Sequence, residues 1–538
     1  MRQIGKRLFL GGALMVILGS AYADNASVSV KTCDPYQDYS CLDSALGTGF
    51  WNRLTNYYKL EMGKDAAPVD PNAPPTRRED FPPAAMTMPP MPFTEWPYGG
   101  TTSLGVSLPN AVDSPFMNAI SDTAFGQWML DNHIQAYGWA NAGFNFSNAS
   151  VHGGNAPAAY SYNPNSLALD QIVEYVERIP DMVQKDHNDW GFRASMIYGQ
   201  DYRYTTSYGV MSGQYLNQNL ANGWDAPMLY AEWYTPFVMQ GLNIRVGRYI
   251  SVPDIEAQLA PNNYMYSHSM TYAYDNYTNE GIIASLAVDR NWIIQAGIEG
   301  GTDSSLNHSW STTNNPAPNA LFPNKTTRQD PGANPAGTFA VRYTTDDGKT
   351  NLQATANGIN SGTWGYNNLQ WYGLTFYHTF DEHWHISSEV YQEHQNNVPN
   401  LNNSYVMTSN NGGPIWTPLT FAYNSPGWAS CSNAAALTCT ATAKGFVTYL
   451  NYQIDPLNNL SLRPEIYWDP QGQRTGTAAT YRNLAFGWQH WFSPQIEVRP
   501  EIAYYTANKA AFNGNANLGM APNMKNLTVF SGDIIWHW

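Results

Sequence analysis

Arg463 and Glu465, and again Arg499 and Glu501, set a guanidinium and a carboxylate two residues apart. In extended chain, residues i and i+2 share a face, so each pair puts opposite charges on one wall. Such a wall orients polar solutes; the simpler reading is a ladder of ion pairs that neutralises buried charge and stiffens the wall, and both can hold. Ser267-His268-Ser269 and Asp275 contain the atoms of a nucleophilic relay. Spacing alone makes no triad, because geometry decides it. His383 and His385 place two imidazoles on one strand face, but two ligands without a third are a weak zinc site, and a solvated pair beside a turn is the simpler reading. Cys33 and Cys41, like Cys431 and Cys439, are eight residues apart. In an exported chain this spacing predicts two short-loop disulfides, Cys33–Cys41 and Cys431–Cys439, and neither pair has zinc-type spacing. No CxxCH, P-loop or strand-following GxGxxG is present. No catalytic residue, metal or cofactor is therefore expected.

The elements that must position these groups follow from composition. The chain has 538 residues, a formal charge of −15, 13% charged and 14% aromatic residues. The acidic balance, with no Lys/Arg cluster, argues against nucleic acid. The 36 Tyr, 19 Trp and 20 Phe exclude disorder throughout. After residue 23 no run of ~18 apolar residues could form a membrane helix. Few charges with many aromatics is the composition of many strands that alternate apolar and polar residues.

Residues 1–23 read as a secretory signal: Arg2, Lys6 and Arg7, then an apolar stretch from Leu8 to Leu18, then Ala21-Tyr22-Ala23 as the cleavage site. Removing those three of the 27 basic residues, against 42 acidic ones, takes the charge from −15 to −18. Residues 24–125 form a periplasmic or plug-like extension. Within it, 67–99 hold ten prolines and read as an extended linker. Residues 50–61 have helical spacing, with Phe50, Leu54, Tyr57 and Tyr58 on one face.

From 126 to 538 the rhythm is two. Ile134, Ala136, Gly138, Ala140, Ala142, Phe144 and Phe146 alternate with Gln135, Tyr137, Trp139, Asn141, Gly143, Asn145 and Ser147. Ten such residues, tilted ~45°, cross ~25 Å, the height of an outer-membrane apolar belt. Seven short turns are predicted, near 179–189, 236–241, 289–291, 345–349, 381–382, 455–459 and 493–495. With a first strand at 134–147 and a last at 527–538, they give about sixteen strands (16–18, since 268–288 could hold an extra hairpin). Long loops are expected near 148–166, 207–225, 251–280, 301–336, 396–442 and 507–526. Lipid offers no hydrogen bonds, so such a sheet must close on itself. The fold class is an all-β transmembrane antiparallel barrel. Phe530, Ile534, Trp536 and Trp538 face outward on the closing strand.

Trp190-Gly191-Phe192-Arg193 with Tyr198-Gly199-Gln200-Asp201 resembles the second hairpin of the OmpL-like β-barrel porin-2 family. So do Leu242–Tyr249, Ile255-Glu256, Asn262–Ser269, Tyr277-Thr278 and Gly281. The resemblance is clearest over 130–300; the Pro-rich start and the cysteine-bearing segment 431–439 depart from it. It implies an outer-membrane barrel that passes small solutes and carries no catalytic residues.

In a pore, function resides in inward side chains and in any loop that narrows the lumen. Alternation turns Arg193, Asp201, Arg203, Glu232, Arg245, Glu389, Arg463, Glu465, Glu497, Arg499 and Glu501 inward. A symmetric turn at 236–241 would set Glu232 opposite Arg245. Segment 251–280 follows the fifth strand, where the corresponding loop of general porins folds inward; Asp254 and Glu256 would then face the solute path. With its acidic charge, the barrel is expected to pass small polar solutes passively, favouring cations or neutral molecules. The other classes are a non-conducting scaffold and an outer-membrane hydrolase. Expected partners are outer-membrane lipid, small polar solutes and the barrel-assembly machinery, which would read the terminal Trp538; a homotrimer is among the open oligomeric states.

Overall fold

The two-residue rhythm becomes a closed ladder in the computed structural model, which describes residues 42–61, 114–306, 335–360, 369–404 and 429–538, apart from positions 159, 183, 208–209, 217, 219, 253, 456, 494 and 516–519. The signal segment 1–23, the linker 67–99 and the Cys33–Cys41 pair lie outside the described residues. Sixteen antiparallel strands follow in chain order: β1 Gln135–Ser147, β2 Ser166–Arg178, β3 Asp189–Gly199, β4 in two segments (Gly223–Asp225 and Leu229–Thr235), β5 Leu242–Ile250, β6 Thr278–Ala287, β7 Trp292–Glu299 and β8 Ala336–Thr344. The second half is β9 Thr350–Ile359, β10 Gln370–Thr379, β11 Trp384–Pro399, β12 Thr438–Asp455, β13 Asn458–Asp469, β14 Ala479–Ser493, β15 in two segments (Ile496–Val498 and Glu501–Ala507) and β16 Asn526–His537. Neighbours in sequence are neighbours in space, and β1 pairs with β16 from Trp139↔His537 to Ser147↔Val529, so the sheet has no edge.

Both interrupted strands break at a proline, Pro227 in β4 and Pro500 in β15. Proline donates nothing to the ladder, yet the two pieces of β4 both pair with β3, and both pieces of β15 pair with β14 and β16. The count of sixteen stands, and 268–288 holds one helical turn, Met270–Ala273, and then β6. Seven connections are short. At 345–349 the chain reverses through Gly348 at φ +70°, a left-handed conformation that glycine adopts without strain. The long connections lie at the other end of the barrel. Besides those expected, 360–369 and 470–478 join strands there.

The outer face is apolar: Leu167, Val246, Ile282, Leu374, Phe446 and Leu484 are exposed. Trp190, Trp233, Trp292, Trp384 and Trp536 are exposed too, each within a few residues of a short turn or of the β1–β16 seam. Trp292 packs on Tyr343 and Trp384 on Tyr452, both at 4.7 Å between ring centres. This is an aromatic girdle at one lipid–water interface. No described helix is long and apolar enough to cross a membrane.

Before β1 come α1 Leu42–Leu46, α2 Phe50–Glu61, α3 Pro115–Ile120 and α4 Ala124–Asp131. The helix expected at 50–61 is α2. Ser114 caps α3 and donates to the Ala136 carbonyl at 2.7 Å, while Tyr58 of α2 donates to the His537 carbonyl. The helices thus sit at the short-turn end, over the seam where β1 begins and β16 ends.

Candidate functional site

The β5–β6 loop (251–277) packs inside the barrel: every described residue from Ser251 to Asn279 is buried. A loop inside a lumen must find partners for its backbone groups. The wall supplies them from most of the circumference. Glu389 on β11 accepts from the Ile255 amide at 2.8 Å, and Tyr391 donates to the Thr271 carbonyl at 2.6 Å. Glu465 on β13 accepts from the Thr271 amide and hydroxyl at 2.6 and 2.8 Å. Glu501 on β15 accepts from the Ser267 amide at 2.9 Å and from its hydroxyl. Arg499 donates to the carbonyls of Ala260 and Asn263 at 2.5 and 2.9 Å. Gln353 on β9 and Gln171 on β2 donate to the carbonyls of Val252 and Gln258.

The two Arg-x-Glu pairs therefore reach into the lumen to the loop as well as along the wall. Within each pair both side chains find partners on the loop: Glu465 on Thr271, Arg463 and Glu501 on Ser267, Arg499 on Ala260 and Asn263. Arg463 finds Glu256 of the loop at 3.9 Å and the Ser267 hydroxyl at 2.9 Å; Arg499 pairs with Asp533 of β16 at 2.5 Å. Across the fourth hairpin position, Glu232 does face Arg245, at 3.3 Å. Arg193 pairs with Glu177 at 2.5 Å, and Glu497 accepts from Gln489 at 2.6 Å. Asp201 and Arg203 stand off the wall: they belong to the β3–β4 connection, where Asp201 accepts from Gln171 at 2.8 Å and Arg203 donates to the Leu220 carbonyl at 2.7 Å.

A family model described as "Putative beta-barrel porin-2, OmpL-like" matches residues 133–537, from the entry to β1 through the end of β16. The chain belongs to this family. It is an outer-membrane β-barrel channel of the porin-2 type. Among solved structures, the anion-selective porin from Comamonas acidovorans is similar at 9% identity and a TM-score of 0.44, covering 75% of this chain and 99% of that one. The outer membrane channel DcaP of Acinetobacter baumannii is similar at 8% identity and 0.42, covering 75% and 97%. OmpT, an outer membrane protein of Vibrio cholerae, is similar at 9% and 0.39, covering 75% and 97%. A comparison with curated proteins found no match.

Inside this porin-2 barrel, glycines on the inward register make room for the loop. A Cβ on Gly445 of β12 would lie 2.6 Å from the Thr271 methyl, and one on Gly143 of β1 would lie 2.4 Å from the Tyr266 hydroxyl. A glycine on the polar face of an alternating strand was the readable sign of this close approach. The loop's own charges feel the burial. Burial pushes the Glu256 carboxyl up from its ordinary range, with Arg463 opposing, and drives His268 down to about 3. His268 is stacked between Tyr160 (3.7 Å) and Tyr272 (4.9 Å), and its Nε2 donates to the Ala257 carbonyl at 2.9 Å.

The relay atoms read from the sequence do not assemble: Ser267 bonds Glu501, His268 bonds Ala257, and Asp275 accepts from the Asn276 amide. The two histidines also part. His383 bonds the Gln453 carbonyl at the turn, whereas His385 is buried against Tyr264 at 3.0 Å, so they are not the solvated pair expected from their spacing. Cys431 and Cys439 are joined as a disulfide with Cα atoms 6.0 Å apart.

Proposed function

We propose that this barrel passes small polar solutes by passive diffusion along the seam between the β5–β6 loop and the wall, and favours cations and neutral molecules over anions. One observation carries the reading. Around the loop, among the described residues, Asp254, Glu256, Asp275, Glu389, Glu393, Glu465 and Glu501 outnumber Arg463, Arg474 and Arg499. In a narrow, low-dielectric passage an acidic excess lowers the energy of a cation and raises that of an anion. Asp254 and Glu256 sit on the loop, with Glu389, Arg463, Glu465, Arg499 and Glu501 on the wall against it. In planar bilayers under a tenfold KCl gradient, the reversal potential should take the sign of K+ permeation. Glu256→Gln should shift it toward zero. A Cl− preference in the wild type overturns the reading.

The burial of every described residue from Ser251 to Asn279 favours one second reading, a barrel whose lumen the loop keeps shut and whose role is structural. Absence of any conductance step from folded protein would decide for it. Export by residues 1–23, insertion through recognition of Trp538, and assembly as a homotrimer complete the proposal; the mass of the detergent-solubilised complex tests the last.

A further inference from the structure

Asp254 lies near the start of the β5–β6 loop, Asp275 near its end, and Glu389 on the wall strand β11. One carboxylate oxygen from each lies within 4.8 Å of the others. All three side chains are buried, at 3%, 0% and 2% exposure. Among the described residues none of the three is in an ion pair: the nearby guanidinium groups are engaged elsewhere, Arg463 with Glu256 and Arg474 with Glu393 at 3.2 Å. Asp254 Oδ1, Asp275 Oδ2 and Glu389 Oε1 each lack a hydrogen-bond partner. Asn276, next to Asp275, is completely buried, and in its side chain neither Oδ1 nor Nδ2 has a partner.

We propose that Asp254, Asp275 and Glu389 bind a hard divalent cation, Ca2+, which ties both feet of the β5–β6 loop to β11. Three carboxylates this close and this dry cannot all be ionised without a counter-charge. An ion at 2.3–2.6 Å from each oxygen can reach ligands up to ~5 Å apart, which suits Ca2+; Mg2+, at ~2.1 Å, spans less. The donors are all oxygen, without Cys or His, which disfavours zinc. The site adds a cation to the loop that the proposed function treats as the constriction, but binding does not depend on conductance, so the two fail separately.

Equilibrium dialysis of 45Ca2+ against the full-length, detergent-solubilised, chelator-washed protein is the test. One Ca2+ per chain is expected, with affinity at least tenfold weaker in Glu389→Gln, which keeps an acceptor for the Ile255 amide. Asp254→Asn with Glu389→Gln should abolish it. If the double variant does not fold, the single variant decides. Ca2+ should also slow amide exchange at Ile255 and Asn276 in the wild type and not in Glu389→Gln. Equal binding by wild type and Glu389→Gln, or no binding by the wild type at millimolar Ca2+, overturns the proposal.

Discussion

Glu465 is a wall residue whose role lies in the loop: its carboxylate takes both the amide and the hydroxyl of Thr271. Glu465→Ala leaves a buried amide without an acceptor, which costs about 1–3 kcal/mol. The loss falls on loop attachment, because β13 keeps its ladder. Amide exchange at Thr271 should speed up tenfold or more, and single-channel traces should become noisier; unchanged exchange would place the anchor elsewhere. His268 is a second residue with a measurable signature. It is held neutral in the packed loop, to about pH 3, while a displaced loop would titrate it near 6.5. Between those values the displaced loop binds the extra proton, so acid weakens packing. The raised carboxyl of Glu256 acts in the opposite sense, so the informative quantity is a difference. His268→Gln keeps a donor for Ala257 and should flatten the loss of thermal stability from pH 6.5 to 4 relative to wild type. The inward orientation of Arg463, Glu465, Arg499 and Glu501 was legible from alternation alone. Their partners were not, because Thr271 and Glu465 are 194 positions apart and no local pattern connects them.

At the scale of the strand, what alternation encodes is the solvent on each face. Leu374 is central on β10, faces outward and is 54% exposed, so its environment is lipid. Leu374→Arg should destabilise the barrel by about 2–4 kcal/mol if it lies near the midplane, read from the urea midpoint of refolding into lipid vesicles. The conservative Thr375→Ser, one position along and facing inward, should leave that midpoint nearly unmoved. A comparable loss at both positions would mean the faces are misassigned. Strands and short turns were readable because each carries its own signal, a period of two closed by Gly, Asn or Asp. The connections at 360–369 and 470–478 were missed, since each is only about ten residues long and stands at the end where longer loops were expected. The breaks in β4 and β15 left the count intact, because a proline removes one ladder bond without changing which face follows.

The whole molecule consists of two units with different physical grounds for stability. The barrel is held by a ladder that closes on itself, so no strand can leave without exposing backbone to lipid. The helices α1–α4 are held by side chains, and Arg53 is their hub. It is 2% exposed, donates to the carbonyls of Asn118 and Gly47 at 2.9 and 2.7 Å, and reaches Asp43 and the Ser121 hydroxyl at 2.8 and 2.7 Å. Removing it strips acceptors in three segments at once, and each buried orphan costs about 1–3 kcal/mol. The helices meet the barrel through an apolar cluster of Met117, Ile120 and Met129 with Ala136, through the Ser114 hydroxyl on Ala136, through Tyr58 on His537, and through the Tyr58 ring 5.9 Å from Trp536. The seam beneath is already closed by the Trp538 amide on the Gly138 carbonyl at 3.0 Å and by Trp538 Nε1 on Glu174 at 2.9 Å. Arg53→Ala should therefore uncouple the two. Residues 42–61 should be cut by protease far faster than in the wild type, while the barrel band keeps its folded mobility on unheated SDS gels and its melting point. If the barrel melts in step with the loss of the helices, the clasp is part of the cylinder's cooperative unit, and closure of the ladder is not sufficient to hold it.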